Sequence, residues 1–181
     1  MERLAEFYKK QVVPKMKEKL GYKNDMEVPK ISKVIVNIGT GPAIKEPKML
    51  DVMIRDLIKI TGQKPVQTKA KRAISGFNIR EGMVVGLKVT LRKARMYDFL
   101  ERFINIVLPN VRDFKGLPKK GFDGHGNYTV GIKEQVVFPE LRTEEITRLH
   151  GLEININTTG KTKEETETLF RFIGFPIAKD N

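Results

Sequence analysis

The chain has 181 residues, of which 40% are hydrophobic and 31% are charged, a composition typical of a folded globular protein. Its 34 basic and 22 acidic residues give a net charge of +12, which favours a polyanionic partner such as nucleic acid, an anionic membrane surface or an acidic protein. The absence of cysteine excludes disulfides and thiolate metal sites. No apolar run is long enough to cross a membrane and the N-terminus lacks the apolar segment of a signal peptide, so we expect a soluble cytoplasmic protein.

The first predicted element is an amphipathic helix over residues 2–20, in which apolar side chains recur at helical spacing and lysines lie between them. Gly21 is expected to end this helix, and Pro14 is expected to kink or split it. The basic side of the helix is typical of a solvated surface face, although RNA and membrane are alternative contacts.

A strand is predicted from Lys33 to Gly39, because apolar and polar side chains alternate there. The Gly-Thr-Gly sequence that follows does not complete a dinucleotide-binding loop, because position 44 is Ile where a third glycine is needed. A helix beginning at Pro47 and ending at Gly62 comes next. Its predicted buried stripe consists of Leu50, Met53, Ile54, Leu57 and Ile58.

The segment from Gln63 to Arg95 contains nine basic residues and a single acidic one, Glu81. We predict a short strand around residues 65–69 and a second strand over residues 83–92. Between them lies a basic loop over about residues 69–82, and we expect it to need an anionic partner to become fully ordered.

The next predicted helix extends from Met96 to Val107 and is stopped by Pro109. After it, residues 110–127 are rich in glycine and poor in regular structure. Loops of this length inside compact domains are usually functional or mobile, so we predict a flexible loop.

Two further strands are predicted around residues 128–132 and 154–157, with a short helix over residues 143–149 between them. Thr162 and Glu165 form a predicted capping box for the last helix, which Gly174 ends. Strands and helices are mixed without strict alternation, and several strands have one polar face. The prediction is therefore a single α+β domain over residues 1–181, with an open, largely antiparallel sheet and helices packed on one face.

Groups for catalysis are sparse in this sequence. The chain has two histidines, His125 and His150. His125 lies two residues from Asp123 in a glycine-rich loop, which is weak geometry for a positioned catalytic pair. No cluster of metal ligands is visible, so we expect neither an enzyme nor a bound cofactor or metal.

RNA is the partner that the charge layout favours. The strongest positive charge lies on a loop and a strand and not on an amphipathic helix, which argues against membrane binding. The polar sheet face would present Asn37, Thr90 and Arg92, with Gln63 nearby, to sugars, phosphates or base edges. Phe77 in the basic loop either stacks on an unpaired base or anchors the loop to the protein. Because no helix-turn-helix or zinc-finger spacing is present, structured RNA is favoured over duplex DNA.

Several motifs together resemble the bacterial family of large-subunit ribosomal protein five, and the resemblance extends over nearly the whole chain. They are Val36–Gly41, Thr61–Lys71, Arg80–Met83, Gly86–Arg92, Pro109–Phe114, Phe122–Gly124 and Gly174–Pro176. The resemblance implies a structural protein with an open sheet like that of RNA-recognition folds. It would attach 5S rRNA to 23S rRNA in the central protuberance of the large subunit.

The same resemblance assigns roles to particular regions of this chain. The 5S rRNA contacts would be Asn37, Gln63, Thr90 and Arg92. The basic loop would contact 23S rRNA and the elbow of the P-site tRNA through Lys69, Lys71, Arg72, Ser75, Phe77 and Arg80. The stretch over residues 112–128 and the short helix after it would bridge to small-subunit protein thirteen. The alternative is a general RNA-binding or RNA-chaperone protein without ribosome specificity.

Overall fold

The computed structural model describes residues 3–41, 46–142, 144, 146 and 148–178. Its strands are β1 (Ile31–Gly39), β2 (Val66–Lys69), β3 (Val84–Leu91), β4 (Asn127–Ile132) and β5 (Leu152–Thr158). Its α-helices are α1 (Leu4–Phe7), α2 (Val13–Leu20), α3 (Pro47–Thr61), α4 (Lys93–Arg102) and α5 (Lys163–Ile173). The strands form one sheet in the order β2-β3-β1-β5-β4, and β2 pairs with β3 in the antiparallel sense. The predicted α+β class and open antiparallel sheet are confirmed.

The chain divides into two compact units, and each is built from separated segments. The first unit comprises Met1–Val34, Leu91–Val130 and Asn155–Asn181, and the second comprises Ile35–Thr90 and Gly131–Ile154. Every boundary between the two units falls inside a strand and not in a linker. That the whole chain acts as a single domain stays a prediction.

The strands alternate between buried apolar and more exposed polar positions, as predicted. In β1 the side chains of Val34, Val36 and Ile38 are buried, whereas Asn37 is half-buried on the other face. In β3 the same alternation buries Leu87, Val89 and Leu91 and leaves Lys88 exposed. Because side chains of successive residues point to opposite faces of a strand, each strand offers one face to a core and one polar face.

In the first unit, the predicted N-terminal helix consists of α1, a π-helical segment over Tyr8–Val12, and α2. The backbone keeps helical φ and ψ angles through both junctions, so the helix is not split, and whether Pro14, at the start of α2, kinks it stays a prediction. Gly21 ends α2 with a left-handed φ of 72°. The predicted capping box of α5 is confirmed, because the Thr162 side chain accepts a hydrogen bond from the Glu165 backbone N–H.

The glycine-rich stretch of the first unit is attached to a core at two apolar side chains. Leu117 is 1% exposed, and Phe122 is 7% exposed. The Phe122 ring lies 4.5 Å from the ring of Tyr128 and 5.4 Å from that of Phe170, measured between centroids. These contacts fix parts of a stretch whose flexibility stays a prediction.

In the second unit, the buried face of α3 differs from the predicted stripe. Its buried apolar side chains are Met49, Met53, Leu57 and Ile60. The prediction was wrong for Ile58, which is 38% exposed, while Leu50 and Ile54 are half-buried. The helix has more apolar residues than one face can bury, and the packing partner selects among them. The short helix predicted over residues 143–149 falls partly outside the described residues.

Candidate RNA-binding surface

Three of the four predicted 5S rRNA contacts lie in the second unit. Asn37 is on β1, Thr90 is on β3, and Gln63 follows the C-terminal Gly62 of α3. The Gln63 side-chain amide donates a hydrogen bond of 3.4 Å to the backbone carbonyl of Thr90. This bond brings a loop residue to the end of β3, so that Gln63 and Thr90 are neighbours.

Only some of the polar groups on this surface form hydrogen bonds within the protein. Asn37, Gln63 and Thr90 are each half-buried. In the part of the chain that the structure describes, the side chains of Asn37 and Thr90 form no hydrogen bond. Buried polar groups in folded proteins are usually paired, so an amide and a hydroxyl in this state are available to a ligand.

Thr68 on β2 belongs to the same polar face, although sequence reasoning did not assign it a role. It pairs directly with Gly86 of β3, which lies between β2 and β1 in the sheet. Gly86 could have indicated this site in the sequence, since a glycine inside a strand often marks close approach of a ligand or of another backbone.

Exposed cations occur in both units. Lys64 and Lys88 are exposed in the second unit, and Arg92 is exposed in the first unit, where it is the N-cap of α4. Among the described residues, no carboxylate is paired with any of the three. Unpaired exposed cations are suited to neutralising phosphates.

The basic loop, residues 69–82, contains two hydrogen-bonded turns. At its base, the Ala70 N–H donates to Met83 and the Gly82 N–H donates to Ala70, at 2.8 and 2.9 Å. At its tip, Ile74 and Ile79 form an antiparallel bridge with backbone hydrogen bonds of 2.8 and 3.1 Å. The loop therefore projects as a narrow hairpin, and its need for an anionic partner to become fully ordered stays a prediction.

Phe77 lies in the turn at the tip of this hairpin and is 71% exposed. A side chain that anchored the loop to the protein would be buried, so the exposure of Phe77 contradicts the anchoring interpretation. The ring is available to stack on a base.

The remaining loop residues with predicted contacts are all exposed. They are Lys69, Lys71, Arg72, Ser75 and Arg80. The four cations among them have no carboxylate partner in the described part of the chain. The loop thus presents positive charge to its surroundings, with little internal neutralisation.

The residues considered for catalysis have structural roles. The Asp123 carboxylate accepts hydrogen bonds from the backbone N–H groups of His125 and Asn127 at 2.9 and 2.7 Å, and from the Asn127 side chain at 2.8 Å. His150 is buried, with its Nε2 atom 3.1 Å from an Asp56 carboxylate oxygen. Within the described ranges, no group of three or more histidine, cysteine or acidic side chains converges as a metal site, and no helix is long and apolar enough to span a membrane.

Two family models match the chain. The model described as ribosomal protein L5 matches residues 24–80, and a second model, which describes the C-terminus of the same ribosomal protein family, matches residues 84–177. Together they include the polar sheet face, most of the basic loop and the glycine-rich stretch.

Curated relatives named large ribosomal subunit protein uL5 match over almost the full length. The relative from Carboxydothermus hydrogenoformans is 50% identical over 179 residues, which cover 99% of this chain and 100% of the relative. The relative from Syntrophomonas wolfei is 55% identical over 177 residues, which cover 98% of this chain and 99% of the relative. Their names are those of ribosomal constituents and not of enzymes, as expected for this chain. The chain belongs to the uL5 family of large ribosomal subunit proteins.

Proposed function

We propose that this protein binds 5S rRNA through the polar face that contains Asn37, Gln63 and Thr90, and that Arg92 in the first unit also contacts this RNA. By this contact it attaches 5S rRNA to 23S rRNA in the central protuberance of the large subunit. The observation that carries the proposal is a set of half-buried polar side chains, two of them without a hydrogen-bond partner in the described chain, accompanied by exposed unpaired cations.

The cations and the neutral polar side chains contribute to binding in different ways. Lys64, Lys88 and Arg92 contact phosphates, which contributes affinity that weakens as salt rises. Asn37 and Thr90 are neutral, so they contribute hydrogen bonds to sugars or base edges that depend on geometry. Gln63 is oriented by its bond to the Thr90 carbonyl and adds an amide at the edge of the face.

The basic loop serves a different RNA. Its exposed cations Lys69, Lys71, Arg72 and Arg80 contact phosphates of 23S rRNA and of the P-site tRNA elbow. Ser75 adds a hydroxyl near the tip. Phe77, 71% exposed in a hydrogen-bonded turn, stacks on an unpaired base.

A bridge to small-subunit protein thirteen is assigned to residues 112–128 and to the segment after β4. Leu117 and Phe122 are buried and fix two points of this stretch, while Arg112, Lys115 and Lys120 remain exposed. An anchored stretch with outward cations is suited to contact a partner across a subunit interface.

The decisive experiment asks which RNA and which particle the protein selects. The full chain, tagged and expressed in a bacterial host, should sediment with large ribosomal subunits. The purified chain should enrich 5S rRNA from total RNA in competition with unrelated structured RNAs. Equal retention of unrelated RNAs would instead support a general RNA chaperone and overturn the proposal.

A further inference from the structure

The open face formed by β1, β2 and β3 in the second unit has no aromatic side chain. The residues that these strands direct to it are Ile35, Asn37, Val66, Thr68, Gly86, Lys88 and Thr90. Proteins that read unpaired bases on a sheet usually stack them on aromatic rings. Without such rings, this face is suited to the edge of an RNA helix, where the wide, shallow minor groove displays ribose 2′-hydroxyls.

Gly86 occupies the centre of that face. A Cβ atom at this position would lie 2.7 Å from Thr68 Oγ1 and 3.3 Å from the Ile38 carbonyl oxygen, and 3.9 Å from Asn37 Oδ1. The first two distances are too short for ordinary contacts, so a larger residue would displace the Thr68 side chain. The missing side chain at Gly86 therefore leaves room for the Thr68 hydroxyl, and the Asn37 amide oxygen borders the same space.

The pairing of β2 with β3 reinforces this arrangement. Thr68 is opposite Gly86, whereas the next residue, Lys69, is opposite Val84, so the register shifts directly after Thr68. Irregularities of this kind re-aim a side chain and are common beside functional sites. Thr68 is half-buried, and neither its hydroxyl nor the Asn37 amide has a hydrogen-bond partner in the part of the chain described by the structure.

We propose that Thr68 is a further RNA contact and that, with Asn37, it recognises a ribose 2′-hydroxyl, with Gly86 as the positioning residue. The inference rests on the proposed binding of 5S rRNA. A hydroxyl and an amide can each donate and accept a hydrogen bond, which matches the donor and acceptor character of a ribose hydroxyl. A phosphate would be matched better by a cation, and this pair carries no charge.

The test combines variants of Thr68 with 2′-deoxy interference. Thr68→Val removes the hydroxyl and keeps the β-branched shape, whereas Thr68→Ser keeps a hydroxyl. A pool of 5S rRNA with scattered 2′-deoxy positions is bound by each full-length protein, and the bound fraction is mapped. We expect the parent and Thr68→Ser to reject deoxy substitution at a position that Thr68→Val tolerates. The affinity of Thr68→Val for unmodified 5S rRNA should fall roughly fivefold.

Failure of the inference is separable from failure of the proposed function. If the parent does not bind 5S rRNA, both are overturned. If the parent binds but Thr68→Val keeps its affinity and its interference pattern, only the role of Thr68 is overturned. A loss of affinity with an unchanged interference pattern would overturn the assignment of a ribose hydroxyl as the ligand.

The role of Gly86 is tested by Gly86→Ala, whose added Cβ would meet the Thr68 hydroxyl. We expect a loss of 5S rRNA affinity similar to that of Thr68→Val. Thermal unfolding of the variant separates this effect from a loss of folded protein. A folded Gly86→Ala protein that binds like the parent would overturn the positioning role.

Discussion

The polar face of the second unit and the basic loop are adjacent in the chain, yet they present RNA with different chemistry. On the face, Asn37, Thr68 and Thr90 are half-buried neutral groups held on paired strands. In the loop, residues 71–78 are all exposed, and the charged side chains have no carboxylate partners among the described residues. The RNA affinity that a neutral group on a strand contributes depends on hydrogen-bond geometry, whereas the affinity that an exposed cation contributes depends on salt concentration. The two surfaces can therefore be separated by experiment.

The largest effect on 5S rRNA binding is expected from the polar face. Asn37→Ala, Gln63→Ala and Thr90→Ala should each cost about 1–3 kcal/mol of binding free energy, because each leaves an RNA partner without its hydrogen bond. Titration of labelled 5S rRNA at fixed salt measures the loss. Asn105→Ala, which removes an exposed amide elsewhere, is the control. Parent-like affinity in all three variants would contradict the proposed site.

Phe77→Ala is expected to weaken P-site tRNA binding by about 1–3 kcal/mol, the usual contribution of one base stacked on an aromatic ring. The measurement is tRNA affinity of ribosomes reconstituted with the variant. Phe77→Tyr keeps the ring and should retain affinity, and Met26→Ala removes another exposed apolar side chain as a control. Since Phe77 is 71% exposed, its loss should leave thermal stability unchanged. Equal tRNA affinity for Phe77→Ala and Phe77→Tyr would rule out stacking.

Charge removal from the loop is expected to act on salt dependence and not on 5S rRNA affinity. Replacing Lys71 and Arg72 by glutamine should lower the slope of log affinity against log salt for a 23S rRNA fragment by about 1.4–1.8, since each phosphate contact contributes about 0.7–0.9. The slope for isolated 5S rRNA should barely change. Lys9 and Lys15, exposed in the first unit, provide a variant of equal charge change. An equal change of slope for 5S rRNA would show that the loop and the face are one surface.

The smallest effect on RNA binding is expected for Thr162→Ala in the first unit. Its side chain accepts from the Glu165 N–H at 3.3 Å, so the change should cost about 1 kcal/mol of folding stability. Thermal denaturation should detect a decrease of roughly 2–4 °C in Tm. Binding of 5S rRNA at a temperature where the protein is folded should not change. A loss of binding there would mean that the capped end of α5 contributes to the RNA surface.

Local patterns predicted much of the fold. The alternation in β1, β3 and β4 matches the period of a strand, and Gly21, Gly62 and Gly174 have the positive φ angles expected of residues that end helices. These features depend on residues close together in sequence. The stripe on α3 was less predictable, because Ile58 and Ile60 are both apolar and only packing determined that Ile60 is buried.

The sites depended more on pairing between distant segments. Gln63 meets Thr90 although 27 residues separate them, and His150 meets Asp56 across 94 residues. Neither of these two contacts can be recognised from spacing in the sequence, because both are made by tertiary packing.

In the segment over residues 63–95, some features follow from local sequence patterns and others from pairing between distant segments. Its charge, its two strands and the loop between them follow from composition and from the period of apolar residues, which are local properties. The place of Thr68 over Gly86 beside Asn37 was decided only by the register between β2 and β3 and by the order of strands in the sheet. Register moves every side chain of a strand together and is set by pairing across the sheet. The sequence could therefore supply the polar residues of the binding face, but only the folded sheet could bring them together.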